Sequence, residues 1–166
     1  MLAAPAALPL AAARAYPEGA PWDALDHPQE GCASCHFGDA PVQDSAALAV
    51  AGLDRELRAG ETYPVTVRFT PEDARIAGFL ARFEVRGAPA GAVLSQEEGA
   101  EVKGSAVRVI AQPPRGEGTA VWTFDWQTPG EPGLVELHLG ALEGNDDASP
   151  FGDRVHLKTL SLEIAR

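Results

Sequence analysis

Apolar and polar residues alternate along most of the chain beyond residue 60, as they do in β-strands that bury one face. Five runs show this pattern, and a last strand is predicted from about Arg154 to Ile164. Residues between the apolar positions, such as Arg82 and Glu84, are expected on the opposite, polar face. The positions predicted to face the core are, run by run, Tyr63, Val65, Val67 and Phe69; Phe79, Ala81, Phe83 and Val85; Val107 and Val109; Trp122, Phe124 and Trp126; and Val135, Leu137 and Leu139.

Clusters of turn-forming residues separate these runs, for example at 87–91, 112–116 and 144–147. Short strands joined by turns at this spacing predict an all-β domain, an antiparallel β-sandwich of the immunoglobulin-like kind. Only residues 46–58 and 71–75 have a composition that could form a helical turn. The helical fold of cytochrome c is therefore excluded.

Three segments are predicted along the chain. Residues 1–15 are almost entirely Ala, Leu and Pro and end in Ala-Arg-Ala, which is typical of a secretory signal segment. Residues 16–43 are rich in Pro and Gly and are expected to form an irregular arm, followed by the β-sandwich over residues 44–166. No apolar stretch approaches the roughly 20 residues needed to span a bilayer. A periplasmic or extracellular location without a membrane span is predicted.

The charge balance is acidic, with 13 Lys and Arg against 24 Asp and Glu and a net charge of −11. Binding to nucleic acid requires a basic surface, so no nucleic-acid partner is expected. The acidic surface favours solubility and would also complement a basic redox partner protein.

The only two cysteines of the chain lie in the run Cys32-Ala-Ser-Cys35-His36. Two thiols at this spacing, followed directly by a histidine, form the attachment motif of a c-type haem. Each thiol would form a thioether bond to one haem vinyl group, and His36 would bind the iron as its proximal ligand. The motif therefore predicts one covalent haem c held by Cys32, Cys35 and His36.

Two other interpretations of this motif remain. Zinc needs four ligands, which Cys32, Cys35, His36 and one distant histidine would provide. The other is a disulfide between the cysteines, although a thioredoxin-like site would open a helix and the flanks here are turn-forming. Haem is favoured, because it alone explains a histidine directly after the second cysteine.

Several short patterns accompany the haem motif: Ala77-Gly78-Phe79, Trp122-x-Phe124-x-Trp126-x-Thr128-Pro129, Gly144-Asn145-Asp146 and Gly152-Asp153. Together they resemble a bacterial arrangement in which a Cys-x-x-Cys-His segment precedes a secreted, Reelin-like β-sandwich domain of the choice-of-anchor V type. The resemblance covers the chain from about Gly31 to its C-terminus. It implies a Reelin-like fold and haem binding, and it does not imply a substrate.

The sixth iron ligand is left open. Met1, in the predicted signal segment, is the only methionine, so a His/Met pair is excluded and a low reduction potential is expected. His156 is expected on the inward face of the last strand, although Lys158 on the same face suggests a bulge there. His27 precedes the motif in the arm, and His138 lies on the polar side of its strand, where solvent exposure is expected. A site with no sixth protein ligand is the remaining alternative.

Residues 144–153 gather three aspartates, Asp146, Asp147 and Asp153, and carboxylates of this kind bind calcium. The spacing departs from the EF-hand pattern, and the same residue types suit a tight loop. Calcium binding is therefore left as an alternative to simple turn formation.

The sequence predicts no enzyme activity, because no serine has the context of a hydrolase nucleophile and no Gly-rich phosphate loop occurs. It predicts an exported mono-haem c-type protein that transfers electrons or senses redox state. The alternative is a secreted β-sandwich adhesion or binding module in which haem or zinc is structural. Reversible cycling between oxidised and reduced forms would distinguish the two.

Overall fold

A computed structural model describes residues 20–24, 26, 31–36, 38–94, 99–113 and 118–166. Eleven strands lie within this part of the chain. In chain order they are β1 (Leu48–Ala51), β2 (Leu57–Arg58), β3 (Thr62–Phe69), β4 (Ile76–Val85), β5 (Ala88–Pro89), β6 (Ala92–Leu94), β7 (Ala100–Lys103), β8 (Ala106–Gln112), β9 (Ala120–Gln127), β10 (Gly133–Gly144) and β11 (Arg154–Ala165).

The strands form two sheets. A four-stranded sheet has the order β1-β3-β9-β6, and a seven-stranded sheet has the order β2-β11-β10-β4-β8-β7, with β5 paired to β4. Neighbouring strands pair antiparallel, except that β2 runs parallel to β11. The predicted all-β sandwich is thus confirmed. No described helical segment has the length and hydrophobicity needed to span a bilayer.

Neither of the two segments whose composition could form a helical turn, residues 46–58 and 71–75, does so. Residues 46–58 contain β1 and β2, and residues 71–75 form bends. Each short strand obtains its hydrogen bonds from a distant partner, β1 from β3 and β2 from β11, so local propensity does not decide their conformation. Among the described residues, the only helical turn is Gly31–Ser34.

The core between the sheets is built by the predicted inward positions. Trp126 stacks on Phe83 with ring centroids 4.0 Å apart, and Trp122 stacks on Phe79 at 4.8 Å. The indole N–H of Trp126 donates to the carbonyl of Ala90 at 3.1 Å, so its one polar group is satisfied inside the core. The alternation of apolar residues therefore predicts this interior correctly, apart from Val85 at the end of β4, which is exposed.

The outer face of the seven-stranded sheet is not the solvated face that the alternation predicts. Leu80 and Glu84 of β4 are buried there. The N-terminal arm covers this face, with Asp26 paired to the guanidinium of Arg82 and Trp22 beneath the guanidinium of Arg108, 4.7 Å from its ring centroid. Both faces of the central strands are consequently covered, which creates a second interior between the arm and the sheet.

Candidate functional site

The Cys-x-x-Cys-His motif forms a tight turn at the end of the arm. The carbonyl of Cys32 accepts hydrogen bonds from the backbone N–H groups of Cys35 and His36, at 3.1 and 3.0 Å. Because the turn is compact, all three side chains that the sequence predicts as site residues line one cavity. The structure therefore brings the predicted residues together.

The cavity is a slot of about 320 Å³ between the arm and the outer face of the seven-stranded sheet. Its lining is mostly apolar, apart from the motif and the polar loop that follows β10. The lining includes Ala20, Pro21 and Ala24 from the arm; Ile76, Gly78, Ile110, Gly140 and Leu142 from the strands; and Asn145, Asp146, Asp147, Ala148, Ser149 and Asp153 from the loop and the residues that close it. An apolar slot bordered by a few polar groups is the usual form of a cofactor site.

Two buried glycines belong to the strand side of the slot. Gly78 of β4 lies opposite Leu142 of β10, and Gly140 of β10 lies opposite Leu80 of β4. Glycine inside a strand often marks a place where a ligand approaches the backbone closely, because no side chain stands in the way. At these two positions the wall of the slot is formed by backbone, without a side chain.

Cys32 is the buried thiol of the motif. It packs against Val155 and Leu157 of β11, and this burial raises its pKa from 9.0 to about 11, with a smaller contribution from the neighbouring thiol of Cys35. A redox-active cysteine of the thioredoxin type has a lowered pKa instead. Both cysteines are free thiols here, so the disulfide interpretation gains no support.

His36 is oriented by Asp153, which lies at the end of the loop after β10. The Nδ1 atom of His36 is 2.6 Å from Oδ2 of Asp153, whose side chain is 5% exposed. The second carboxylate oxygen, Oδ1, accepts a hydrogen bond from the backbone N–H of Asn145 at 3.3 Å. Because the carboxylate accepts a proton from Nδ1, the neutral ring carries its lone pair on Nε2. Within the described residues, no hydrogen bond involves Nε2, which is the atom available as a metal ligand.

The sequence did not single out Asp153 as a partner of His36. The two residues are 117 positions apart, and in the sequence Asp153 is recognisable only as a loop aspartate and as part of a short Gly-Asp pattern. The arm pairs with the end of the sheet through hydrogen bonds between Val42 and both Val155 and Leu157, and this pairing helps to bring the two residues together.

The loop of residues 145–153 uses its polar side chains to bind its own backbone. Backbone N–H groups of Asp147, Ser149 and Phe151 donate to side-chain oxygens of Asn145, Asp147 and Ser149, respectively. Such turns account for the Asn, Asp and Ser content of the loop. In the described part of the chain, no group of three or more His, Cys, Asp or Glu side chains could hold a metal ion. The calcium and zinc interpretations are therefore not supported.

The expectation that His138 is solvent-exposed is wrong. The residue is 6% exposed, because it lies on the outer face of β10 and that face is covered. Its Nδ1 is 3.1 Å from the hydroxyl of Thr159, and its Nε2 is 3.6 and 3.7 Å from carboxylate oxygens of Glu84 and Glu136. His138 does not line the slot. His27 lies outside the described residues.

His156 points inward, as predicted, but it is not placed to bind iron. Its Nδ1 is 2.8 Å from the hydroxyl of Ser45, and its Nε2 is 3.0 Å from a carboxylate oxygen of Glu143. The ring packs edge-on against Phe69 in the sandwich core, on the opposite face of β11 from Cys32. His156 does not line the slot that contains the motif, so the alternative in which it is the sixth ligand gains no support. The bulge predicted from Lys158 is wrong, because β10 and β11 pair in one continuous register.

Neither a protein-family model nor a curated protein matches the chain. Solved structures do match it. The human F-spondin reeler domain superposes with a TM-score of 0.52 at 17% identity, over 78% of this chain and 95% of that one. The Reelin-N domain of F-spondin superposes with a TM-score of 0.53 at 17% identity, over 82% of this chain and 97% of that one. The chain is thus an all-β domain with a Reelin-like fold, which confirms the resemblance inferred from the sequence at the level of fold.

Proposed function

We propose that the slot holds one covalently attached c-type haem, and that the protein is an exported haem protein which transfers electrons or senses redox state. Cys32 and Cys35 would carry the haem on thioether bonds, and His36 would bind the iron through Nε2. The observation that carries this proposal is the apolar slot directly beside the motif, with Cys32, Cys35 and His36 all in its wall.

The chemistry of the site residues fits this cofactor better than a bare metal ion or a disulfide. A haem brings four ligands of its own, so the protein needs to supply one imidazole and two thioether positions. His36 offers an oriented imidazole, and metal-binding histidines almost always donate their other ring N–H to a carboxylate, carbonyl or water. The raised pKa of Cys32 argues against a redox-active disulfide.

When bound, the haem would supply the one-electron chemistry, and the chain would supply its environment. The slot walls formed by the arm and by β4 and β10 would exclude water from the buried part of the cofactor. Asp153 would hold the proton on Nδ1 of His36 and so keep Nε2 free for the metal. These roles need no further reactive side chain, because electron transfer requires proximity rather than covalent catalysis.

The cellular setting belongs to the same proposal. The export-like N-terminal segment and the haem motif support a periplasmic or extracellular location, since c-type haem is attached outside the cytoplasmic membrane. The net charge of −11 favours a basic redox partner protein. His138 and His156 are both bonded elsewhere, so the sixth position would be taken by His27 or by no protein ligand.

A secreted binding module is the second candidate, and the Reelin-like fold favours it. In that case the haem would act as a structural staple that ties the arm to the sheet, since Cys32 already packs against Val155 and Leu157. Spectroelectrochemistry separates the two candidates. Reversible reduction and oxidation at an accessible potential support the redox role. If instead reduction or oxidation of the haem unfolds the protein, the structural role is supported.

The proposal is tested by producing the protein with its export segment in cells that carry a cytochrome c assembly system. Mass spectrometry under denaturing conditions should show the mass of one haem retained on the chain. Cys35→Ser should prevent attachment through two thioethers, whereas Ser34→Ala, at one of the two variable positions of the motif, should retain normal haem content. Free thiols at both cysteines of the unaltered protein, under conditions in which a known c-type cytochrome matures, would refute haem attachment.

A further inference from the structure

The contact between His36 and Asp153 is closer than an ordinary hydrogen bond of its type. Nδ1 and Oδ2 are 2.6 Å apart, whereas uncharged N–H···O bonds cluster at about 2.9–3.0 Å. Short distances of this kind are typical of charge-assisted bonds, in which an ionised acceptor draws the donor proton strongly. The distance is thus in the range expected for an ionised carboxylate that accepts the Nδ1 proton of the ring.

Burial makes this pairing necessary for Asp153. Its side chain is almost fully removed from water, and a buried carboxylate requires donors that replace its hydration. Within the described residues, the Asp153 carboxylate accepts hydrogen bonds from two groups, the backbone N–H of Asn145, at 3.3 Å, and the ring of His36. The His36 bond is the shorter of the two, so the electrostatic interaction of the carboxylate is directed mainly at the imidazole.

The geometry points to Asp153 as a positioning residue that sets the reduction potential of the haem through His36. A carboxylate that accepts the Nδ1 proton raises the basicity of the ring, and a more basic axial ligand stabilises ferric over ferrous iron. Asp153 thereby fixes the orientation and tautomer of His36 and lowers the potential of the site. This inference rests on the proposed function, since it concerns the same haem.

The test compares two variants that remove one negative charge from the same loop. Asp153→Asn removes the charged acceptor from His36 while keeping the size of the side chain. Asp146→Asn is the control, because Asp146 is exposed, lines the same slot and makes no described contact with His36. Asparagine also tolerates the positive φ of 61° at position 146. Both proteins are compared with the unaltered holoprotein by spectroelectrochemical titration.

D153N is expected to shift the ferric–ferrous equilibrium at least tenfold toward ferrous iron, which corresponds to about 59 mV for a one-electron couple. D146N should shift it clearly less, since it changes charge without touching the axial ligand. Equal shifts in the two variants would overturn the inference, because the effect would then be one of net charge alone. Circular dichroism of both variants checks that the β-sandwich is retained.

A second measurement uses the unaltered protein and does not depend on variant folding or on haem content. In ¹⁵N-labelled protein, the ring of His36 should carry its proton on Nδ1, and that proton should exchange slowly with solvent. A ring protonated on Nε2, or an Nδ1 proton that exchanges as fast as in an exposed histidine, would overturn the inference. Failure of haem attachment with a protected Nδ1 proton would count against the proposed function and would leave the Asp153–His36 pairing intact.

Discussion

Replacing His156 by alanine is expected to destabilise the domain without changing any iron coordination. His156 lies in the sandwich core between Ser45 and Glu143, and all three residues are buried. Removal of the imidazole leaves the carboxylate of Glu143 and the hydroxyl of Ser45 without this partner. It also removes the edge-on contact with Phe69.

The size of the effect follows from these contacts. A hydrogen bond to a charged group contributes about 1.5–3 kcal/mol and a neutral one about 0.5–1.5 kcal/mol, so the two lost bonds amount to about 2–4.5 kcal/mol. Glu143 keeps its bond from the backbone N–H of Asp73, at 2.9 Å, which limits the loss. We therefore expect a loss of about 3 kcal/mol, or a fall in Tm of roughly 6–12 °C at 2–4 °C per kcal/mol for a domain of this size.

The assay is thermal and urea unfolding followed by far-ultraviolet circular dichroism, together with the optical spectrum of the holoprotein. His156→Gln is the matched control, because its amide can still donate to Glu143, and it should lose less stability than the alanine variant. The reasoning is refuted if His156→Ala costs less than about 1 kcal/mol, the value of one ordinary hydrogen bond. A change from low-spin to high-spin iron in a stably folded variant would refute the placement of His156 away from the haem.

Three further outcomes follow from the slot and the motif. Gly140→Val should keep the β-type circular dichroism spectrum but lower haem content, because its side chain would enter the slot; Gly130→Val, at a turn where an added Cβ meets nothing within 4 Å, should leave haem content unchanged. The haem-free protein should lose stability as the pH rises from 9 to about 11, because the unfolded chain releases the Cys32 proton at lower pH than the folded chain does. In a plot of Tm against pH, the Cys32→Ala variant should lack the fall in Tm that this proton causes. The reduction potential should lie below that of His/Met cytochromes c, because Met1 is the only methionine; a thioether–iron charge-transfer band in the exported protein would contradict this.

The sandwich interior could be predicted from the sequence because it depends on the two-residue period of each strand. Trp122, Phe124 and Trp126 illustrate this, since their spacing alone places them on one face, and all three are buried there. Strands β1 and β2 could not be predicted in the same way. They are too short to show a period, and their conformation depends on distant partners in β3 and β11.

The burial of the outer face of the seven-stranded sheet could not be predicted, because it does not depend on the local sequence of the strands. Alternation assigns Leu80, Glu84 and His138 to the polar side of their strands, and this assignment of side is correct. Whether that side meets water depends on where the arm lies, and the arm has no periodicity that would predict its path. Ion pairing of Arg82 with Asp26 of the arm is visible only in the folded structure.

The motif residues were predicted because their chemistry is encoded in five consecutive positions, whereas the residues that complete the site are dispersed. Gly78 and Gly140 are far apart in the sequence, and only the register of β4 and β10 shows that they lie on neighbouring strands. Asp153 likewise becomes a partner of His36 only through the folded loop. A residue pattern can therefore identify the candidate haem-binding residues, and the tertiary structure is needed to identify the cavity and the orienting carboxylate.

The distribution of the site along the chain has a consequence for the order of assembly. Cys32, Cys35 and His36 precede every described strand and leave the ribosome before them, whereas Gly140 and Asp153 come from the last two strands and the loop between them. The slot cannot exist before β10 and β11 have joined the sheet. A haem attached before that moment would be carried by an unfolded segment, and the sandwich would then close around it, so that the cofactor would be a participant in folding rather than a late addition to a finished domain.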